Sequence, residues 1–121
     1  MAKLLLVEDE PVSCRVLAKI LSRQGYLVAT AATVEEALNT AVDFNPDAVI
    51  TDWLLKDTRT GLEIAESVRK RNPRAGVVFI SGLPAESLQG KVGHLANCRL
   101  LEKPFHHDEL LSTLQMLHEQ Q

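Results

Sequence analysis

Five short apolar runs punctuate the chain: "KLLLVED" at 3–9, "LVATAAT" at 27–33, "DAVITDWLL" at 47–55, "AGVVFISG" at 75–82 and "CRLLEKP" at 98–104. A run that stays apolar without alternating suits a strand buried on both faces. Between the runs, apolar residues return every three or four positions, the spacing of amphipathic helices. In "PVSCRVLAKILSRQGY" the stripe is Val12, Val16, Leu17, Ile20 and Leu21, with Pro11 in the first turn and Gly25 as the stop. Thr33 and Glu36 have capping-box spacing ahead of "VEEALNTAVDF", whose apolar face is Val34, Ala37, Leu38 and Ala41, and Asn45-Pro46 closes that helix.

The second half repeats the scheme. After the polar "KDTRT", Gly61 opens "LEIAESVRKR", with Ile64, Ala65 and Val68 inward and Asn72-Pro73 as the end. "LPAESLQGKVGHLAN" starts like a helix at Pro84 and Glu86, but Gly90 and Gly93 each cost about 1 kcal/mol inside one relative to Ala. The expectation there is a short or mobile helix. "HDELLSTLQMLHEQ" is a final helix with Leu110, Leu111, Leu114 and Leu117 inward. Strands alternating with helices imply an α/β fold, a parallel sheet covered on both faces and joined by right-handed crossovers.

Length and composition narrow the reading. The 121 residues are expected to form one domain, 1–121, and 45% hydrophobic with 24% charged residues is globular composition. The net charge of −3, with no basic block beyond "RKRNPR", argues against a nucleic-acid surface. That run reads as the solvated end of a helix, where cations suit the macrodipole. Cys14 and Cys98 form no C-x-x-C pair and read as buried thiols of a reducing cytosol. The first apolar run is too short for a signal peptide and no segment approaches transmembrane length, so a cytoplasmic protein without membrane insertion is expected.

Asp52 breaks the pattern, because a carboxylate in an apolar run loses hydration unless something compensates. Ligands of open parallel α/β sheets bind beyond the carboxyl ends of the strands. Those ends carry Glu8 and Asp9, then Asp52, then Ser81, then Lys103 before Pro104. Three carboxylates crowded together should raise at least one pKa unless a hard divalent cation neutralises them, and Mg²⁺ suits an open site of this kind. Asp52 is then placed to attack phosphorus and form an aspartyl phosphate, with Lys103 and Ser81 holding phosphoryl oxygens. Asp9 alone also fits a helix N-cap before Pro11. His106-His107 reads as a solvated helix start, and there is no Gly-rich phosphate loop or G-x-S-x-G.

The segments "LLLVEDEP", "DAVITDW", "VVFISG" and "LLEKPF", in this order over the whole chain, resemble the receiver domain of two-component response regulators. "LLKDTRTGLE" is similar to receivers attached to hybrid histidine kinases. The resemblance implies a flavodoxin-like (βα)5 doubly wound fold with strand order 2-1-3-4-5. It implies Asp52 as phosphoacceptor and metal ligand, Asp9 as a direct Mg²⁺ ligand, Glu8 acting through water, and the Leu54 backbone carbonyl completing the metal's protein contacts. Ser81 becomes the switch hydroxyl, Lys103 the partner of the phosphoryl group, and Lys103-Pro104 a cis bond. The implied donor is a phosphohistidine on a sensor histidine kinase or a histidine phosphotransfer protein. The implied function is a phosphoacceptor switch of partner interactions, not an enzyme with a separate effector activity.

The chain departs from the family pattern in three places, one of them a loop to Gly61 that is one residue longer. Leu55-Lys56 replaces a usual Met-Pro, and Leu100 stands where an aromatic often reports phosphorylation to the surface. Output is therefore expected through the loop after Asp52 or through 84–96, and the resemblance implies the last helix, the fifth strand and the segment before it as the partner surface. Leu54 and Leu83, each two residues beyond a site residue, cannot orient a hydrolytic water, so slow loss of the phosphoryl group is expected. Trp53 reads as a partly exposed neighbour of the site. A pseudo-receiver interaction module that is never phosphorylated is the alternative, and an aspartyl phosphatase is disfavoured by Leu54 where an acid is wanted.

Overall fold

The computed structural model describes residues 2–56 and 58–119. Asp57 of the polar loop, Gln120 of the expected last helix, and the end residues Met1 and Gln121 of the expected domain lie outside the described residues. The order along the chain is β1 (Lys3–Val7), α1 (Pro11–Arg23), β2 (Leu27–Ala31), α2 (Val34–Phe44), β3 (Ala48–Asp52), α3 (Gly61–Arg71), β4 (Gly76–Ser81), α4 (Ala85–Val92), β5 (Cys98–Glu102) and α5 (His107–Glu119). The strands form one parallel sheet in the order β2-β1-β3-β4-β5, the flavodoxin-like arrangement. In this register Leu5 of β1 lies between Ala29 of β2 and Val49 of β3, and Asp52 of β3 lies beside Ile80 of β4.

Alternate strand residues point to opposite faces, which explains runs that are apolar throughout. Leu4, Leu6, Ile50, Val78 and Ile80 meet Leu17 and Leu21 of α1 and Leu110, Leu114 and Leu117 of α5. On the other face Leu5, Val7 and Val49 meet α2 and α3 through Val34, Ala37, Ile64 and Val68. Val77 and Phe79 meet Trp53 and the two buried residues of α4, Leu88 and Val92. Full burial of each Leu or Phe is worth roughly 2 kcal/mol, so the two layers hold the strand ends in fixed register.

Turn chemistry follows the sequence. Thr33 Oγ1 accepts the Glu36 N–H, Asn45 takes a left-handed conformation at the end of α2, and Gly25 has φ 97° after α1. Arg69 differs from the solvated cation expected of it. Its guanidinium folds back to donate to the carbonyls of Ala75, Ala96 and Asn97, tying the end of α3 to the turn before β5.

Three apolar expectations also change. Val12 and Val16 of α1 are 56% and 44% exposed, because the helix begins beyond the carboxyl edge and only its lower turns reach the sheet. Leu38 and Leu111 are only partly buried. Trp53 is buried, at 7% exposure, with its ring edge-on to Phe79 at 5.3 Å, because the chain turns under α4 directly after β3. Cys14 and Cys98 are free, half-buried thiols, and burial pushes Cys98 up to about 11. Among the described residues, no helix is long and apolar enough to cross a membrane.

Candidate functional site

The carboxyl edge assembles from four strand ends. Glu8 and Asp9 follow β1, Asp52 ends β3, Ser81 ends β4 and Lys103 follows β5. Carboxylate oxygens of Glu8, Asp9 and Asp52 lie within 4.8 Å of one another. Lys103 Nζ approaches Asp52 Oδ1 at 3.2 Å. Asp52 is only 5% exposed, so Lys103 and the neighbouring acids rather than water surround its carboxylate.

Asp9 has no capping duty. Glu10 takes the N-cap of α1, its Oε2 accepting the Ser13 N–H at 2.8 Å. Asp9 Oδ2 instead accepts the Lys56 N–H at 2.7 Å, which draws the β3–α3 loop over the site. The loop is closed again where Leu54 pairs with Thr60 and Leu55 N–H donates to the Arg59 carbonyl. The Leu54 side chain points outward, 63% exposed.

Crowding has the expected electrostatic effect. Burial pushes Glu8 up to about 8, helped by its hydrogen bond to Asp52 and the negative charges of Asp52 and Asp9, with Lys103 opposing. At neutral pH Glu8 therefore holds a proton in the absence of a cation. Three oxygen donors, one of which holds a proton because of burial and the charge of its neighbours, match the preference of a hard divalent ion for carboxylates.

Ser81 sits on the same edge, but its hydroxyl accepts the Leu83 N–H at 2.9 Å, and its carbonyl accepts the Lys103 N–H at 2.8 Å. The Lys103-Pro104 bond is cis. A groove of about 640 Å³ opens onto Asp52, Glu8 and Lys103, with walls that include Val12, Val16 and Phe105. The two exposed valines of α1 thus border the opening to the acid cluster.

The profile of the response regulator receiver domain matches residues 4–115. The chain belongs to the receiver domain family. The nitrogen assimilation regulator NtrX of Azorhizobium caulinodans is 31% identical over 111 residues, which are 89% of this receiver and 24% of NtrX. The receiver also spans only 60% of the photosynthetic regulator RegA of Cereibacter sphaeroides, so it corresponds to part of each of these longer proteins. The response regulator TrrA of Thermotoga maritima, solved with Mg²⁺ and BeF, superposes with TM-score 0.80 at 30% identity over 97% of this receiver and 99% of TrrA. The receiver domain of the hybrid histidine kinase CckA superposes with TM-score 0.78 at 28% identity, covering 95% of this receiver and 97% of that one.

Sequence reasoning missed several supports of the site. Thr51 Oγ1 donates to the Asp52 carbonyl at 2.9 Å, and a Cβ on Gly61 would lie 2.6 Å from that same carbonyl oxygen. Gly61 carried a signal, since glycine is a poor first residue for a helix and implies a close approach. Glu102 was also missed: its Oε1 accepts the Ala85 N–H at 2.7 Å.

Proposed function

We propose that this receiver takes a phosphoryl group onto Asp52 from a phosphohistidine on a sensor histidine kinase or a histidine phosphotransfer protein, and thereby switches its interactions with a partner. The observation that carries the reading is the buried Asp52 carboxylate, paired to Lys103 inside a three-carboxylate cluster at the floor of an open groove. An Asp52 carboxylate oxygen attacks phosphorus as the P–N bond breaks, the electron pair leaving with the imidazole nitrogen. Lys103, 3.2 Å from Oδ1, follows the charge as it passes to the phosphoryl oxygens. Ser81 supplies a hydroxyl from the neighbouring strand.

Asp9, Asp52 and the Leu54 carbonyl would hold Mg²⁺, with Glu8 acting through water; bound there, the ion would neutralise charge on the phosphoryl oxygens. The donor enters by the groove beside α1, since Asp52 is otherwise enclosed. Val12 and Val16 give a helical partner an apolar wall to lie against while it presents its histidine.

Intact-mass measurement after treatment with a small acyl phosphate and Mg²⁺ tests the reading. One added phosphoryl group, absent in Asp52→Ala, is the expected result. Metal binding without a mass gain would replace the phosphoacceptor by an interaction module that keeps only the fold and the acids.

A further inference from the structure

The helix α4 is short and has no cap of its own. It has eight residues, carries Gly90 in its interior, and starts at Pro84, which offers no side-chain cap. A glycine inside a helix and a missing cap each weaken a short helix. The cap is supplied from outside the helix. Glu102, the last residue of β5, reaches across so that its Oε1 accepts the Ala85 N–H, the first amide of α4. A carboxylate is well suited to that end of a helix, where it meets both an unpaired amide and the positive end of the dipole.

Glu102 is peptide-bonded to Lys103, the residue paired with Asp52. The Lys103 N–H is in turn held by the carbonyl of Ser81, and the Ser81 hydroxyl accepts the N–H of Leu83, two residues before Ala85. Both ends of the acid cluster's polar neighbourhood therefore run into the start of α4. Along its length, α4 rests Leu88 and Val92 on the cluster that contains Trp53, with Lys91 Nζ 6.0 Å from the centre of that ring. Leu100, half-buried in the same cluster, leaves no aromatic on β5 to carry a signal outward.

We propose that Glu102 is a latch that holds α4 in its unphosphorylated position, and that phosphorylation of Asp52 releases α4 by moving Ser81 and Lys103 against this contact. The inference rests on the phosphoacceptor reading. Turning the Ser81 hydroxyl toward phosphoryl oxygens takes it from the Leu83 N–H and displaces residues 82–84. Re-pairing Lys103 shifts the adjoining Glu102, and the bond to Ala85 is the contact on which both displacements converge. Freed of it, a short helix with an internal glycine and no cap of its own loosens and presents a changed surface.

Hydrogen exchange of amides 85–92 in the 121-residue chain tests the latch, with Glu102→Ala and Glu102→Gln compared with the parent before and after acyl phosphate treatment. Without phosphodonor, Glu102→Ala should exchange about fivefold faster in α4, the factor for loss of a helix cap. Glu102→Gln, which keeps an acceptor oxygen, should stay close to the parent. Phosphorylation should raise α4 exchange in the parent and add little in Glu102→Ala. Equal α4 exchange in the parent and Glu102→Ala, or an equal rise on phosphorylation in both, overturns the latch. The masses of the same samples keep the two proposals apart: no added phosphoryl group defeats the phosphoacceptor reading and the release step with it, whereas a full mass gain with an unmoved α4 defeats the latch alone.

Discussion

Under the proposed function Glu8 would link metal binding to pH, and the size of the link follows from its environment. Its carboxyl is pushed up to about 8 by burial and by Asp52, so it must lose a proton before a divalent cation can settle beside it. With that pKa, the ionised fraction is about 1% at pH 6 and about half at pH 8, so the apparent Kd for Mg²⁺ should fall about 50-fold across that interval. Calorimetric titration in two buffers of different ionisation heat should count nearly one proton released per Mg²⁺ near pH 6.5. Emission of Trp53, next to Asp52, should report the same Kd values. Glu8→Gln should abolish most of the slope. Stability without metal moves the other way. Between the ordinary carboxylate value near 4.5 and about 8, folded Glu8 keeps a proton that the unfolded chain has lost, so stability falls as pH rises and levels off above pH 8. The total change is on the order of a few kcal/mol. A Kd constant within twofold from pH 6 to pH 8 would refute the account of Glu8.

Other substitutions probe the remaining parts. Gly61→Ala should cost about 1–3 kcal/mol in urea unfolding, because the added methyl meets Thr51 and the Asp52 carbonyl at 2.6 Å, and a wild-type midpoint would show that the loop gives way freely. Leu54→Asn should shorten the lifetime of the phosphorylated protein several-fold by giving water a hydrogen-bonding partner at an exposed position beside the site; unchanged decay of the phosphorylated mass would count against a water-excluding role. Val16→Glu should slow phosphoryl transfer from a phosphotransfer protein at least tenfold, as a charge placed on a partner's apolar contact does, while leaving acyl phosphate labelling intact. Equal loss with both donors would remove the groove from the docking path.

The strands were legible because the sheet is buried on both faces, which forces apolar runs, and because the strand ends must carry the polar residues; their order followed from the resemblance to receiver domains, since no local pattern encodes which strands pair. Glu8, Asp9, Asp52 and Lys103 could be named from their positions after such runs, and they do converge. The identity of α1's cap was not legible. Asp9 and Glu10 are adjacent acids before Pro11, and only the fold shows that Glu10 takes the Ser13 amide while Asp9 reaches Lys56. Trp53 and Arg69 were misjudged for a related reason. Burial of a large ring by α4, and capture of a guanidinium by carbonyls from two turns, depend on contacts distant in sequence that no local period encodes.

Six of the misfits share a location. Val12 and Val16 carry an apolar stripe into solvent, Leu54 and Leu83 are exposed leucines, and Glu8 and Asp52 are buried acids. A sequence selected for packing alone would reverse each of these, because exposed valines gain nothing from water and buried carboxylates lose hydration. All six lie on or beside the carboxyl edge; Leu27, Val42 and Met116 are exposed apolar residues elsewhere, but both buried carboxylates among the described residues fall at this edge. Buried acids gathered at one edge mark the part of the molecule shaped by something other than its own stability. Under the proposed function the acids would answer to a cation and a phosphoryl group, the valines to a partner that delivers it, and the leucines to the exclusion of water. The weakly capped α4 borrows its cap from Glu102 at that same edge, and in the latch proposal it is the element through which the chemistry would reach the surface.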